Sequence, residues 1–139
     1  MPESRLDHAG LAVRDLGAAA DWYCAAFGYR VELTLRVDPI DLDIVMLLNA
    51  GGDRLELLHR PGSGDCARPA DPAAAAVETA YGHVAFDVPD LDGAFERVVG
   101  LGARPVLAPR PSPEPGVRMA FVADPEGNLV ELLSRPRKE

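Results

Sequence analysis

Cysteines, aromatic side chains and long apolar runs are all scarce in this chain of 139 residues. The two cysteines, Cys24 and Cys66, have neither zinc nor redox spacing, one falling in a helical pattern and the other in a loop. No disulfide framework is expected, and a reduced, cytoplasmic protein is. The longest strongly apolar run, Ile44 to Leu48, is far too short to span a membrane. The polar start, Met-Pro-Glu-Ser-Arg, has no apolar segment of the signal-peptide kind. A basic block is missing as well, and the net charge is −8, so neither nucleic acid nor membrane is an expected partner. There is no Gly-rich phosphate loop, no Ser/His/Asp set and no CxxC. An anionic small molecule would need a local arginine, for which Arg36, Arg54, Arg110 and Arg118 are candidates.

What is present is a duplicated pattern. The ending Phe121-Val-Ala-Asp-Pro-Glu-Gly-Asn-Leu-Val-Glu131 reads as a strand, a tight turn and a second strand. Pro125 fixes one backbone angle of that turn, and Gly127 is free to take positive φ. The second strand carries one acid inside Leu129-Val130-Glu131-Leu132-Leu133, and the same pattern stands at Arg54-Leu55-Glu56-Leu57-Leu58. Each acid follows a strand-borne histidine, His8 or His83, by 48 residues, and the two sets are offset by 75. With nine glutamates in the chain, two such coincidences would arise by chance about once in 240. Two copies of one unit account for them.

Taken in order, Leu6–Val13 reads as a strand, and Asp15 caps a helix that Gly28 ends. Leu16, Ala20, Tyr23 and Phe27 share one face of that helix. Strands are expected over Tyr29–Val37, Leu42–Leu48 and Arg54–His59. Residues 60–79 form a Pro-, Gly- and Ala-rich linker, with a helical turn or two near Pro72–Glu78. The pattern then repeats. Tyr81–Val88 is a strand, Asp90 caps a helix striped by Leu91, Ala94, Phe95, Val98 and Val99, and Gly102 ends it. Arg104–Ala108 is a short strand, and Pro109–Gly116, with four prolines, a loop or irregular edge. Arg118–Ala123 and Asn128–Ser134 close the chain as a hairpin, before a frayed tail at Arg135–Glu139. The expectation is one α+β domain over 1–139, with βαβββ modules at 5–59 and 80–134 joined by linker 60–79.

Strand alternation puts each histidine and each acid on the sheet face away from the helix, because Val84, Phe86, Val88, Val130 and Leu132 take the helix side. One histidine on a strand, or one acid among leucines, is more often a packing or edge residue. The repeated pairing points instead to a metal site made of His8, Glu56, His83 and Glu131. Imidazole and carboxylate suit divalent Zn, Ni, Co, Mn or Fe, and four protein ligands leave room for substrate in an octahedral site. His59, whose counterpart is Ser134, reads as a strand-end surface residue. Trp22 and Tyr23 read as helix packing. Glu32, Asp43 and Asp87 are further acids that face the same cavity in one reading.

These segments resemble the vicinal oxygen chelate superfamily, also called the glyoxalase/bleomycin resistance/dioxygenase superfamily. The resemblance rests on His8-Ala-Gly-Leu-Ala-Val-Arg-Asp-Leu16, Phe27-Gly-Tyr29, Gly82-His83-Val-Ala-Phe-Asp-Val88 and the ending Phe121–Glu131, and it covers nearly the whole chain. It implies paired βαβββ modules in a cupped, mixed and mostly antiparallel sheet around a metal. The His-Glu-His-Glu order is similar to that of bacterial glyoxalase I. Asp7–Val13 and Leu55–Leu58 are similar to methylmalonyl-CoA epimerase, which usually has glutamine where Glu56 stands.

The resemblance and the ligand set together imply a metal-dependent lyase or isomerase, lactoylglutathione lyase-like, acting on a small carbonyl or thioester substrate. The expected chemistry is proton transfer beside the carbonyl through an enediolate-like intermediate, with Glu131 as base and Glu56 second. The alternatives are an epimerase-like enzyme, a drug-binding resistance protein without turnover, and an extradiol-type dioxygenase. Open sheet edges lead to the expectation of a homodimer, the modules pairing within one chain or across two.

Overall fold

The computed structural model describes residues 3–77 and 79–137. Between Asp65 and Cys66 the chain divides into two compact units. The first runs β1 (His8–Ala12), α1 (Leu16–Phe27), β2 (Arg30–Val37), a single 3-10 turn (Asp38–Ile40), β3 (Leu42–Leu48) and β4 (Arg54–His59). The second opens with the short helix α2 (Pro72–Ala75) and continues β5 (Val84–Asp87), α3 (Leu91–Gly100), β6 (Arg104–Pro111), β7 (Arg118–Ala123) and β8 (Leu129–Ser134). Each unit holds one four-stranded sheet, in the order β1-β4-β3-β2 and β5-β8-β7-β6. First and last strands of a unit pair in parallel and the remaining pairs are antiparallel. This is the mixed, mostly antiparallel α+β architecture with two βαβββ units.

The helices begin and end where local chemistry dictates. Asp15 caps α1 by accepting from the Ala18 amide at 2.9 Å, and Asp90 caps α3 by accepting from Gly93 at 3.1 Å. Each cap satisfies a donor the helix cannot pair itself, worth about 0.5–2 kcal/mol. Gly28 ends α1 at φ 69°, a left-handed conformation that costs glycine little. The helices cover one face of their sheets. In the first unit that face carries Leu47, Leu55 and Leu57 beneath Ala19, Tyr23 and Ala26. In the second it carries Ala120, Val122, Val130 and Leu132 beneath Leu91 and Val98. Trp22 and Tyr23 belong to this packing, as the helical pattern implied: both are buried, edge to face, with ring centroids 4.8 Å apart.

The closing turn is built as its residues demand. The buried Asp124 carboxylate accepts from the amides of Glu126 and Asn128 at 3.0 and 2.9 Å, and Gly127 adopts φ 92°. Several strand ends move by a residue or two, and three larger differences from the reading of the sequence stand out. Strand β6 does not stop at Ala108 but continues through Pro109 to Pro111. It is the edge strand, its ladder is broken on both sides of Leu107, and an edge tolerates prolines that lack a donor. Strand β5 starts at Val84, so His83 stands just before it. Part of the expected linker is structure of the second unit: Asp71 caps α2, Ala75 is buried, and Arg68 packs over Gly127. Glu78, at the end of the expected helical turn, lies outside the described residues, as do Lys138 and Glu139 of the tail. Arg135 and Arg137 in that tail pair with Glu114 and Asp87.

Candidate metal centre

The histidine and the acid of each unit meet across its parallel strand pair. In the first unit Gly10 is the register partner of Glu56, and His8 is two residues upstream on the same face. In the second, Ala85 is the partner of Glu131, and His83 is again two residues upstream. His8 Nε2 lies 3.8 Å from Glu56 Oε1, and His83 Nε2 lies 3.1 Å from Glu131 Oε2. The duplication continues across the next strand, where Met46 stands opposite Glu56 and Phe121 opposite Glu131. Alternation makes both pairs project from the face that the helices leave uncovered. Their acids are the more enclosed members, with side chains 22% and 16% exposed against 37% and 38% for the imidazoles.

The surroundings of the two pairs differ. Asp7 binds His8 Nδ1 at 2.8 Å. With Nδ1 as the donor, Nε2 presents its lone pair toward Glu56, the arrangement that outer-shell carboxylates give to metal-binding imidazoles. That hydrogen bond raises the His8 pKa above its ordinary value, opposed by partial desolvation and supported by the charge of Glu56. His83 has instead the ring of Phe121 standing edge-on, with centroids 5.2 Å apart and planes at 79°. Glu131 sits between the buried Leu129 and Leu133 on its face of β8. Near the first pair, Arg54 is held by Glu32, whose pKa falls below the ordinary carboxylate value through that hydrogen bond.

Imidazole nitrogen paired with carboxylate oxygen is a donor set that fits a divalent metal of the Zn, Ni, Co, Mn or Fe type. Among the described residues no three or more His, Cys, Asp or Glu side chains form one metal-binding group. What each unit brings together is a pair. The remaining acids are engaged elsewhere. Asp43 joins Asp38 and Asp41 around Arg36, Asp87 pairs with Arg137, and Glu32 with Arg54. His59 is tied down by its Nδ1, 2.9 Å from the Val13 carbonyl oxygen. A cavity of about 400 Å³ in the first unit, lined by Leu16, Leu35 and Arg36 among others, includes neither His8 nor Glu56. Both cysteines are free thiols. Among the described residues no helix is long and apolar enough to cross a membrane.

Known proteins match this chain over nearly its whole length. A probable lactoylglutathione lyase of Vibrio cholerae serotype O1 is 25% identical over 138 residues, covering 96% of this chain and 92% of that protein. The structure of a glyoxylase/bleomycin resistance protein/dioxygenase domain from Frankia sp. EAN1pec superposes with a TM-score of 0.79 at 20% identity, over 99% of this chain and 96% of that one. Glyoxalase I from Zea mays superposes with a TM-score of 0.77 at 23% identity over 96% of this chain. This chain spans only 46% of the maize protein. At such identities the two structures speak for the fold alone. The family model described as Glyoxalase/Bleomycin resistance protein/Dioxygenase superfamily matches residues 5–132, and the chain belongs to that superfamily.

Proposed function

We propose that this protein is a metal-dependent lyase or isomerase of the lactoylglutathione lyase type, acting on a small carbonyl or thioester substrate. The observation that carries the reading is the repeated pair: one imidazole nitrogen beside one carboxylate, in the same register, on the helix-free face of each unit. The reading assigns His8, Glu56, His83 and Glu131 to one divalent ion, two ligands from each unit, drawn from one chain or from two copies. The similarity to the Vibrio protein supports the reaction class.

A bound divalent ion would act as a Lewis acid that polarises the oxygens of the carbonyl substrate. The protein's own task is to move a proton between neighbouring carbons. Glu131 is the first choice of base: its carboxylate takes the proton from the carbon beside the carbonyl and returns it to the adjacent carbon. The enediolate-like species between those steps needs an anion-stabilising surface and a carboxylate that can loosen from its ligand role to carry the proton. Glu131 stands between Leu129 and Leu133 on β8 and opposite Phe121 on β7, and His83 Nε2 lies 3.1 Å from its Oε2. Glu56 is the second choice. His8 and His83 orient the two acids, and Asp7 fixes the ring of His8.

The test is to strip the protein of metal, restore it with Ni, Co, Mn or Zn, and assay hemithioacetals beside 2-methyl-acyl thioesters. Metal-dependent isomerisation of a hemithioacetal is the expected result. Turnover confined to the thioester would replace the lyase by an epimerase. A pure protein that binds no divalent metal and ignores chelators would remove the reading altogether.

A further inference from the structure

We propose that Arg54 recognises a carboxylate on the substrate, with Glu32 as the positioning residue that presents it; this rests on the reading that the His8–Glu56 pair serves a small carbonyl or thioester compound. Arg54 lies on the same strand face as Glu56, two residues away, and is the register partner of His8. A group bound beside that pair is therefore within reach of its guanidinium. Glu32 grips one side of it in a fork, with Nε to Oε1 and Nη2 to Oε2 both at 3.0 Å. Among the described residues Nη1 makes no hydrogen bond. The end-on edge formed by Nη1 and the second Nη2 proton is thus left open, and that edge matches a carboxylate in two parallel bonds.

The fold does not require this ion pair. Glu32 sits on β2 where the β2–β3 ladder shifts register between Val31 and Leu33, and its carboxylate reaches across β3 to Arg54 on β4. The second unit has the same shift, between Pro105 and Leu107, and there the corresponding residues are Val106 and Leu129. One unit fills these two positions with apolar side chains and the other with a fixed cation and its holder. With side chains 32% and 26% exposed the pair is partly enclosed, a setting in which an ion pair is weak evidence of a stabilising role. The other arginines that could serve an anion are occupied away from the two pairs. Arg36 is surrounded by Asp38, Asp41 and Asp43, Arg118 is forked by Asp92, and Arg110 donates to the Ala108 carbonyl. The near charges that a substrate anion would otherwise meet are the carboxylates of Asp7, Glu32 and Glu56, with Arg5 and Arg30 acting only through space.

The experiment compares methylglyoxal hemithioacetals of glutathione and of its diethyl ester with metal-restored protein. Wild type should prefer the acid, and Arg54→Leu, which copies Leu129, should cut the acid-to-ester ratio of kcat/KM by about 10–100-fold, chiefly through KM. Arg54→Lys should recover part of the ratio, and Glu32→Gln should lower it less than Arg54→Leu does. Equal use of acid and ester by wild type, or an Arg54→Leu variant with an unchanged ratio, would overturn the proposal. Calorimetry with S-methylglutathione and its diethyl ester separates this outcome from failure of the lyase reading. If neither hemithioacetal is turned over, the lyase reading falls. An acid preference in binding that Arg54→Leu abolishes still upholds Arg54, and equal binding of both removes it. Should Arg54→Leu fail to fold, Arg54→Lys and Glu32→Gln carry the same comparison.

Discussion

Gly10 stands directly across the parallel pair from Glu56, and a methyl group placed on it would lie 3.8 Å from Glu56 Oε1 and 3.6 Å from Leu58 Cδ1. Those are ordinary contacts, and the second unit has alanine, Ala85, at the same place. Gly10→Ala is expected to change stability by no more than about 0.5 kcal/mol and to leave metal affinity nearly as it was. Gly10→Phe should push into the space of the Glu56 carboxylate and weaken metal binding. Thermal melts and metal titration of the two variants check this.

Asp7 touches the candidate centre only through the far nitrogen of His8. Asp7→Asn should lower metal affinity by about 10–100-fold, as loss of an outer-shell carboxylate commonly does. His8→Ala should lower it further. Competition with a fluorescent chelator measures both. An Asp7→Asn protein with wild-type affinity would show that the hydrogen bond does not tune the site.

The Asp92 carboxylate is forked by Arg118 at 2.9 and 3.2 Å, and that hydrogen bonding holds its pKa below the ordinary value. A depressed carboxylate stabilises the folded state above its unfolded pKa, and the contribution disappears as pH falls through the folded value. Glu114, held down by Arg135, acts in the same direction. Carboxyl-carbon NMR should find Asp92 titrating on the acid side of ordinary aspartates. In Arg118→Leu it should return upward, and the acid limb of a stability-versus-pH curve should flatten.

The Asp124 carboxylate satisfies two amides of the closing turn while itself buried. Asp124→Ala should cost about 1–3 kcal/mol for each donor left without a partner. Leu57→Ala, at a fully enclosed position beneath α1, should cost about 2–5 kcal/mol. Urea unfolding separates these losses from any effect on metal binding.

Edge strand β2 presents Val31, Leu33 and Leu35 at 50%, 40% and 48% exposure, an apolar stretch on an open sheet edge. A homodimer that covers it is expected, with a dimer mass by light scattering at micromolar concentration. Leu33→Glu together with Leu35→Lys should shift that mass toward the monomer. A wild-type monomer would refute the assembly.

The units, their helices and the histidine–acid pairs were legible because each depends on local chemistry or on strand alternation. Asp15, Asp90 and Gly28 are helix signals at any position in any fold, and the Asp124–Asn128 turn is written in its residues. The offset of 75 residues carried the pairing of His8 with Glu56 over to His83 with Glu131. Other features are set by tertiary context. Proline argues against a strand until the strand is known to be an edge, so the residues alone place the end of β6 at Ala108 rather than Pro111. The Arg54–Glu32 fork joins β4 to β2 across β3, and hydrophobic periodicity does not say which strands lie side by side. Arg54 was visible as one arginine among four, with nothing in the sequence to set it apart.

Each parallel pair joins the first strand of its unit to the last, β1 to β4 and β5 to β8. The two donors of a pair are therefore 48 residues apart along the chain and become neighbours only when the unit closes. Such long-range closure is a slow, late kind of event in folding. A ribosome-bound chain that has not yet released β4 possesses His8 but no ligand pair to offer. On the proposed metal reading, capture of the ion would report completion of a unit rather than prompt it, and chelators should leave the rate of refolding unchanged while lowering the stability of the finished protein.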